Sequence, residues 1–60
     1  MNQNLPNDPV ILLSYVNTQL RDHFSSLDAF CDNFETDRST LEDKLKSIDY
    51  LYDAATNQFI

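Results

Sequence analysis

The 60-residue chain contains no glycine. Loops that cradle a nucleotide phosphate need glycine where the backbone approaches the phosphate closely, so Gly-rich nucleotide-binding motifs are excluded. A turn that requires a positive φ must use another residue, and asparagine or aspartate is the least costly choice. The absence of glycine therefore removes a large class of nucleotide-dependent enzymes.

Cysteine and histidine are almost absent, since Cys31 and His23 are the only examples. A disulfide within the chain is impossible, and a structural zinc site of about four ligands lacks its usual donors. A single thiol fits a reducing compartment, and the first residues have neither the basic start nor the cleavage site of a signal peptide. No apolar run approaches the ~20 residues of a membrane span. We therefore predict a cytoplasmic protein with no cofactor, no membrane contact and no small-molecule substrate.

Basic residues are also few, because four Lys and Arg stand against ten Asp and Glu, for a formal charge of −6. Specific DNA-binding proteins commonly neutralise ~6–10 phosphates. A basic protein partner, by contrast, would be attracted to an acidic surface. Charge therefore disfavours a nucleic-acid partner. The order of the predicted elements, described below, favours one.

The hydrophobic spacing predicts a mainly α fold of three helices and a short C-terminal hairpin. Residues 1–7 are interpreted as a polar leader and residues 8–60 as one small domain. Asp8 can cap free backbone N–H groups and Pro9 fits a first helical position, so helix 1 is expected from Pro9 to about Phe24. Its apolar stripe consists of Leu13, Val16, Leu20 and Phe24, widened by Ile11, Leu12 and Tyr15.

The second half of the chain has the order of a helix-turn-helix with a rudimentary wing, like a miniature winged helix. Ser25 with Asp28 resembles a capping box, which predicts helix 2 over Leu27 to Phe34. Glu35 to Asp37 form the predicted turn, and helix 3 is expected from Arg38 to Ile48 with Asp37 as its cap. On helix 2, Cys31 falls on the apolar face and is expected in the core.

After Ile48 the apolar period changes from about 3.6 to about 2, which is typical of strands. Tyr50 to Tyr52 and Gln58 to Ile60 are the predicted strands, with Asn57 the best candidate for a left-handed residue in the loop. The alternation aims Phe59 toward the helices. A hairpin alone would be marginally stable, so we expect it to dock on them.

Several strings of the chain are distinctive. They are Leu12–Asp22, which reads LLSYVNTQLRD, and later Ser47–Tyr50, Tyr52–Asp53 and Asn57–Phe59. The chain in this respect resembles, from about Pro6 to Ile60, the small bacterial proteins grouped as domain of unknown function family 4250. The resemblance implies no activity or partner. It implies Gly-Val where Glu35 and Thr36 stand, and a glycine there would relieve a left-handed helix end.

Helix 3 carries candidate nucleic-acid contacts, because the start of a recognition helix meets base edges. Arg38 could read a guanine, Ser39 and Thr40 lie beside it, and Lys44 and Lys46 could contact phosphates. The alternative is an ordinary solvated helix face. A DNA-binding transcriptional regulator that uses helix 3 is therefore our second functional hypothesis.

Helix 1 carries more apolar surface than two short helices and a hairpin can cover, through Val10, Ile11, Leu12 and Tyr15. A domain of this size gains substantially from added burial. Our first hypothesis is therefore a non-catalytic protein-interaction or adaptor module. It would bind another protein, or a second copy as a homodimer, through these residues.

Four polar residues lie inside the most distinctive string: Asn17, Gln19, Arg21 and Asp22. They form either a binding patch or a hydrogen-bond network that joins helix 1 to the hairpin. Catalysis is not expected, because the chain has no strand-to-helix nucleophile elbow and too little surface for a deep pocket.

Overall fold

The computed structural model describes residues 5–60, so the start of the predicted polar leader lies outside the described part. Within residues 5–60, three helices precede a two-stranded antiparallel sheet. The elements are α1 (Pro9–Asp22), α2 (Leu27–Phe34), α3 (Arg38–Lys46), β1 (Tyr52–Asp53) and β2 (Gln58–Phe59). The mainly α fold with a C-terminal hairpin is confirmed.

The start of α1 follows the prediction, because Asp8 Oδ1 accepts a hydrogen bond from the Val10 N–H at 2.9 Å and a proline occupies the first turn. The helix ends at Asp22, before the predicted Phe24. There the Gln19 carbonyl accepts hydrogen bonds from the N–H groups of both His23 and Phe24, at 2.8 and 3.1 Å. The doubly bonded carbonyl closes the last turn, and Phe24 leaves the helix.

The cap of α2 is Ser26 rather than the predicted Ser25. Ser26 Oγ accepts a hydrogen bond from the Ala29 N–H at 3.1 Å, so it is Ser26 that stands one residue before the helix. At the other end Glu35 is left-handed, with φ 54° and ψ 42°. The Thr36 N–H then reaches back to the Cys31 carbonyl at 3.0 Å, which is the pattern of a Schellman helix end.

The start of α3 is confirmed, since Asp37 Oδ2 accepts a hydrogen bond from the Thr40 N–H at 3.1 Å. Its end comes at Lys46, before the predicted Ile48. Asp49 is left-handed there, with φ 68°, and the Tyr50 N–H donates to the Leu45 carbonyl at 3.0 Å. This second Schellman end was not predicted from the sequence.

The hairpin pairs Tyr52 with Phe59 and Asp53 with Gln58. The strands are shorter than predicted, although Leu51 and Ile60 also exchange both backbone hydrogen bonds at 2.9 Å. Asn57 is left-handed, with φ 56°, as predicted.

The core is apolar throughout. It consists of Leu12, Val16, Leu20, Leu27, Phe30, Cys31, Phe34, Leu41, Leu45 and Phe59. The predicted burial of Cys31 and the inward orientation of Phe59 are confirmed. Along α1 the buried positions are 12, 16 and 20, each one helical turn after the last. The buried stripe therefore begins at Leu12, whereas the sequence predicted Leu13.

Candidate interaction surface

Asn17 fastens β2 to α1. Its Oδ1 accepts a hydrogen bond from the Phe59 N–H at 2.8 Å, and its Nδ2 donates to the Phe59 carbonyl at 3.1 Å. Because Leu51 and Ile60 form the hydrogen-bonded pair of the ladder, the N–H and carbonyl of the preceding Phe59 point away from β1. The Asn17 carboxamide therefore bonds to that edge of β2 as a neighbouring strand would.

A second network joins the hairpin loop to both α1 and α2. Asn57 Nδ2 donates to the carbonyls of Leu20 and Phe24, at 3.1 and 2.9 Å. Asn57 Oδ1 accepts a hydrogen bond from the Tyr52 hydroxyl at 2.7 Å, and that hydroxyl accepts one from the Leu27 N–H at 3.2 Å. These partly buried groups hold the loop against the end of α1 and the start of α2.

The four polar residues predicted to form either a binding patch or a hydrogen-bond network have separate roles. Asn17 belongs to the network that joins α1 to the hairpin, while Gln19 is half-buried and contributes its carbonyl to the end of α1. Arg21 and Asp22 form an exposed ion pair, with Nε 2.9 Å from Oδ1. The hydrogen bond from Arg21 lowers the pKa of the Asp22 carboxyl and raises the pKa of the arginine. Exposed pairs of this kind contribute little stability.

The charge of Arg38 is matched by two carboxylates. Its Nη1 lies 2.9 Å from Asp28 Oδ1 and its Nε lies 3.3 Å from Glu42 Oε2. The hydrogen bond to Asp28 is the largest cause of the raised pKa of Arg38. The guanidinium also lies 5.5 Å from the centre of the Tyr52 ring. The residue predicted to read a guanine is therefore held by contacts within the chain.

The other residues predicted to contact DNA all lie on α3, but only two of them are positively charged. Ser39 and Lys46 are exposed and Lys44 is half-buried. The Thr40 hydroxyl donates to Asp37 Oδ2 at 3.1 Å. The start of α3 thus presents a carboxylate beside its hydroxyls, where a DNA phosphate would require a positive charge.

Exposed apolar side chains come from two parts of the sequence. Val10 and Ile11, in the first turn of α1, are 62% and 57% exposed, whereas Leu51 and Ile60, which pair at the open end of the hairpin, are 59% and 60% exposed. We call these four residues the apolar end. Sequence reasoning found the first two and missed the last two.

The docking of β2 on α1 determines how far the two exposed pairs lie from each other along the helix axis. Phe59 bonds to Asn17, and Asn57 bonds near the end of α1, so β2 runs antiparallel to α1. Val10 lies on the same stripe as Asn17, about 10 Å nearer the start of the helix. Ile60 continues β2 by about 3.3 Å in that same direction. The open end of the hairpin therefore lies level with the second turn of α1, about 7 Å along the helix axis from Val10.

Two residues predicted for this surface lie elsewhere. Leu12 is 1% exposed and belongs to the core, which corrects the prediction that it contacts a partner. It points inward because it stands one helical turn before the buried Val16. Tyr15 is half-buried, with its ring edge-on to Phe34 at 6.0 Å.

Reactive groups are scarce in the described part of the chain. Burial raises the pKa of the Cys31 thiol, so little thiolate is present near neutral pH. Among residues 5–60, no group of three or more His, Cys, Asp and Glu side chains is placed to hold a metal ion. No helix in that range has the length and apolar character needed to cross a membrane.

Comparison with known protein families identifies a family for this chain. A family model described as Domain of unknown function (DUF4250) matches residues 6–59. No curated protein and no solved structure matches the chain. The family resemblance seen in the sequence strings is thus confirmed over nearly the whole chain.

Proposed function

This chain belongs to the DUF4250 family, and we propose that it is a non-catalytic protein-interaction module whose partner binds at the apolar end. The observation that carries the proposal is that four large apolar side chains are more than half exposed in so small a domain: Val10, Ile11, Leu51 and Ile60. The largest apolar patch on a typical monomer covers ~300–600 Å² and often has a function. We further propose that the module acts in the cytoplasm.

The size of the apolar end suits a reversible contact. Its side chains expose on the order of 400 Å² of apolar surface, and burial at ~25 cal/mol per Å² would contribute about 10 kcal/mol. Association itself costs roughly 4–15 kcal/mol. The apolar end thus supports moderate affinity, and the surrounding polar residues set which partner binds.

The competing proposal, a DNA-binding regulator, is favoured by the order of α2, the turn and α3. Electrostatics opposes it, because the chain has four basic residues and Arg38 is already paired with Asp28 and Glu42. We therefore rank DNA binding below protein binding.

Photocrosslinking tests the proposed surface. A photoreactive amino acid replaces Ile11 at the apolar end, and a matched control replaces Ala29, which is exposed on α2. In cells that naturally produce the protein, position 11 is expected to give discrete heavier products that position 29 does not give. Equal products from both positions, or none from position 11, would overturn the proposal.

A further inference from the structure

We propose that the free edge of β1 binds an extended, basic peptide segment of a partner protein, which pairs with β1 as a third strand. This site goes beyond the apolar end, with which it shares only Leu51. It consists of the backbone of Tyr52 and the cleft between β1 and α3. When a peptide adds to the edge of a sheet, backbone hydrogen bonds supply affinity and alternate side chains supply specificity.

The N–H and carbonyl of Tyr52 point away from β2. Leu51 and Ile60 exchange both backbone hydrogen bonds. The next pair of the ladder, Tyr52 and Phe59, therefore turns its backbone groups outward on both strands. The Asn17 side chain bonds to those of Phe59. Those of Tyr52 have no hydrogen-bond partner in the described part of the chain. The fold thus covers one edge of the sheet and leaves the other edge open.

The open edge of β1 faces α3. The Tyr50 N–H, on the same side of the chain as the Tyr52 N–H, donates to the Leu45 carbonyl near the end of α3 at 3.0 Å. Arg38, at the start of α3, lies 5.5 Å from the centre of the Tyr52 ring, so β1 runs back along this helix. A cleft of about 350 Å³ lies here, within the ~300–1,000 Å³ of typical ligand sites. Its lining includes Glu42, Asp43, Lys46, Leu51 and Tyr52.

The alternation of an added strand determines which side chains the segment needs. In an antiparallel strand, the residue opposite Tyr52 shares the face of the Tyr52 side chain. That face is turned toward the helices, where the Tyr52 hydroxyl accepts a hydrogen bond from the Leu27 N–H. The neighbours of this residue share the outward face of Leu51, which is 59% exposed. The segment therefore has one inward residue between two outward residues, and apolar side chains suit the position beside Leu51.

The charges of the cleft favour a basic inward residue. Glu42 Oε2 already lies 3.3 Å from Arg38 Nε, whereas Asp43 is exposed and forms no ion pair within the described part of the chain. Lys46 stands about one helical turn later, toward the end of α3. A lysine or arginine opposite Tyr52 can therefore pair with Asp43. The formal charge of −6 also attracts a basic segment at long range.

Nuclear magnetic resonance of the isotope-labelled chain tests the open edge. The probe is an acetylated heptapeptide with a central lysine and with valine or threonine at its other positions. Millimolar probe should move the Tyr52 amide resonance saturably and slow its hydrogen exchange, because the N–H gains a partner. The same peptide with a methyl group on the backbone nitrogen of its lysine cannot donate to the Tyr52 carbonyl and should not bind. A Tyr52 amide unmoved by the probe, or moved equally by the methylated peptide, would overturn the proposal.

Asp43→Asn tests the charge assigned to the cleft. It should weaken binding of the probe about two- to fivefold, the range expected for an exposed ion pair. Asp32→Asn makes the same charge change on the exposed face of α2 and should leave the affinity unchanged. Equal weakening by the two substitutions would refute the pairing with Asp43 and with it the proposed position of the segment.

Crosslinking and titration report on different elements, so the two proposed surfaces are tested separately. The photoreactive group stands at position 11 on α1, whereas the titration follows Tyr52 on β1. Discrete products from position 11 without a response of Tyr52 would refute the peptide site and leave the interaction module in place. A saturable response of Tyr52 without products from position 11 would support the peptide site and refute binding at the apolar end.

Discussion

Among residues 5–60 of this glycine-free chain, three residues carry a left-handed backbone: Glu35, Asp49 and Asn57. Asparagine and aspartate tolerate this region best, because their short side chains bond locally. Asn57 is further compensated by its hydrogen bonds to Tyr52, Leu20 and Phe24. Glu35 is exposed and has the least suitable side chain of the three, so the end of α2 holds the most strain at residue scale.

Glu35→Gly is expected to raise the free energy of unfolding by about 1 kcal/mol, since glycine removes the cost of a positive φ. It also removes a negative charge from the C-terminal end of a helix dipole. Asp49→Gly should give a smaller gain, because aspartate tolerates the left-handed region better. Urea unfolding monitored by circular dichroism gives the values.

Asp32→Gly is the matched control for this prediction. Asp32 is exposed within the same helix, where glycine removes the same charge but should lower the free energy of unfolding by roughly 0.3 kcal/mol, because aspartate is itself a poor helix former. Opposite signs at positions 32 and 35 would locate the effect in the backbone conformation. A Glu35→Gly variant no more stable than the parent would contradict the argument.

At the scale of elements, the hairpin depends on its attachments. Its ladder covers only Tyr52–Asp53 and Gln58–Phe59, and an isolated hairpin is marginally stable in water. Phe59 buries its ring in the core while Asn17 bonds to its backbone. Phe59 thus attaches β2 to the helices through both its side chain and its backbone.

Phe59→Ala is therefore expected to lower the free energy of unfolding by ~3–5 kcal/mol. Asn17→Ala should cost ~1–3 kcal/mol, because it leaves the N–H and carbonyl of Phe59 without their protein partner. Gln58→Ala is the control, since its side chain is exposed on the same strand. Calorimetric melting of the variants tests the order. Equal midpoints for Gln58→Ala and Phe59→Ala would show that Phe59 is not an anchor.

The sequence predicted the number and type of the elements more accurately than the residues at which they end. Apolar spacing found the three helices, and Asp8 and Asp37 correctly marked two helix starts. The ends of α1 and α3 were placed too late, because apolar Phe24 and Ile48 continue the pattern although their backbones leave the helix. Ser25 and Ser26 are equally good caps by type, and only the backbone geometry selects Ser26.

At the scale of the whole molecule, positive charge is sparse and partly used within the fold. Arg21 pairs with Asp22, and Arg38 pairs with Asp28 and Glu42. We therefore expect no binding to a mixed-sequence DNA duplex at low salt, measured by fluorescence anisotropy. Saturable binding with Kd near or below ~1 μM, weakening steeply as salt rises, would contradict this expectation.

The residues of the proposed surface show which features of the structure local sequence patterns cannot predict. Val10 and Ile11 were identified as surplus apolar residues, but Leu12 was wrongly grouped with them, because a stripe of adjacent apolar residues does not show where its centre faces. Leu51 and Ile60 join that surface only through the docking of β2 on α1. The alternation that aims Phe59 inward does direct Ile60 outward, yet nothing local shows that β2 lies alongside α1.

The attachment of the hairpin also bears on how the chain acquires its structure during synthesis. The bonds from Asn17 and Asn57 join residues that are 42, 37 and 33 positions apart. Contacts between distant positions form late, because a long loop must close first. On the ribosome, the helices can begin to form while Phe59 is not yet synthesised. We therefore expect α1 to remain uncovered on its β2 side until Phe59 has emerged, and the final fold to be reached only after that point.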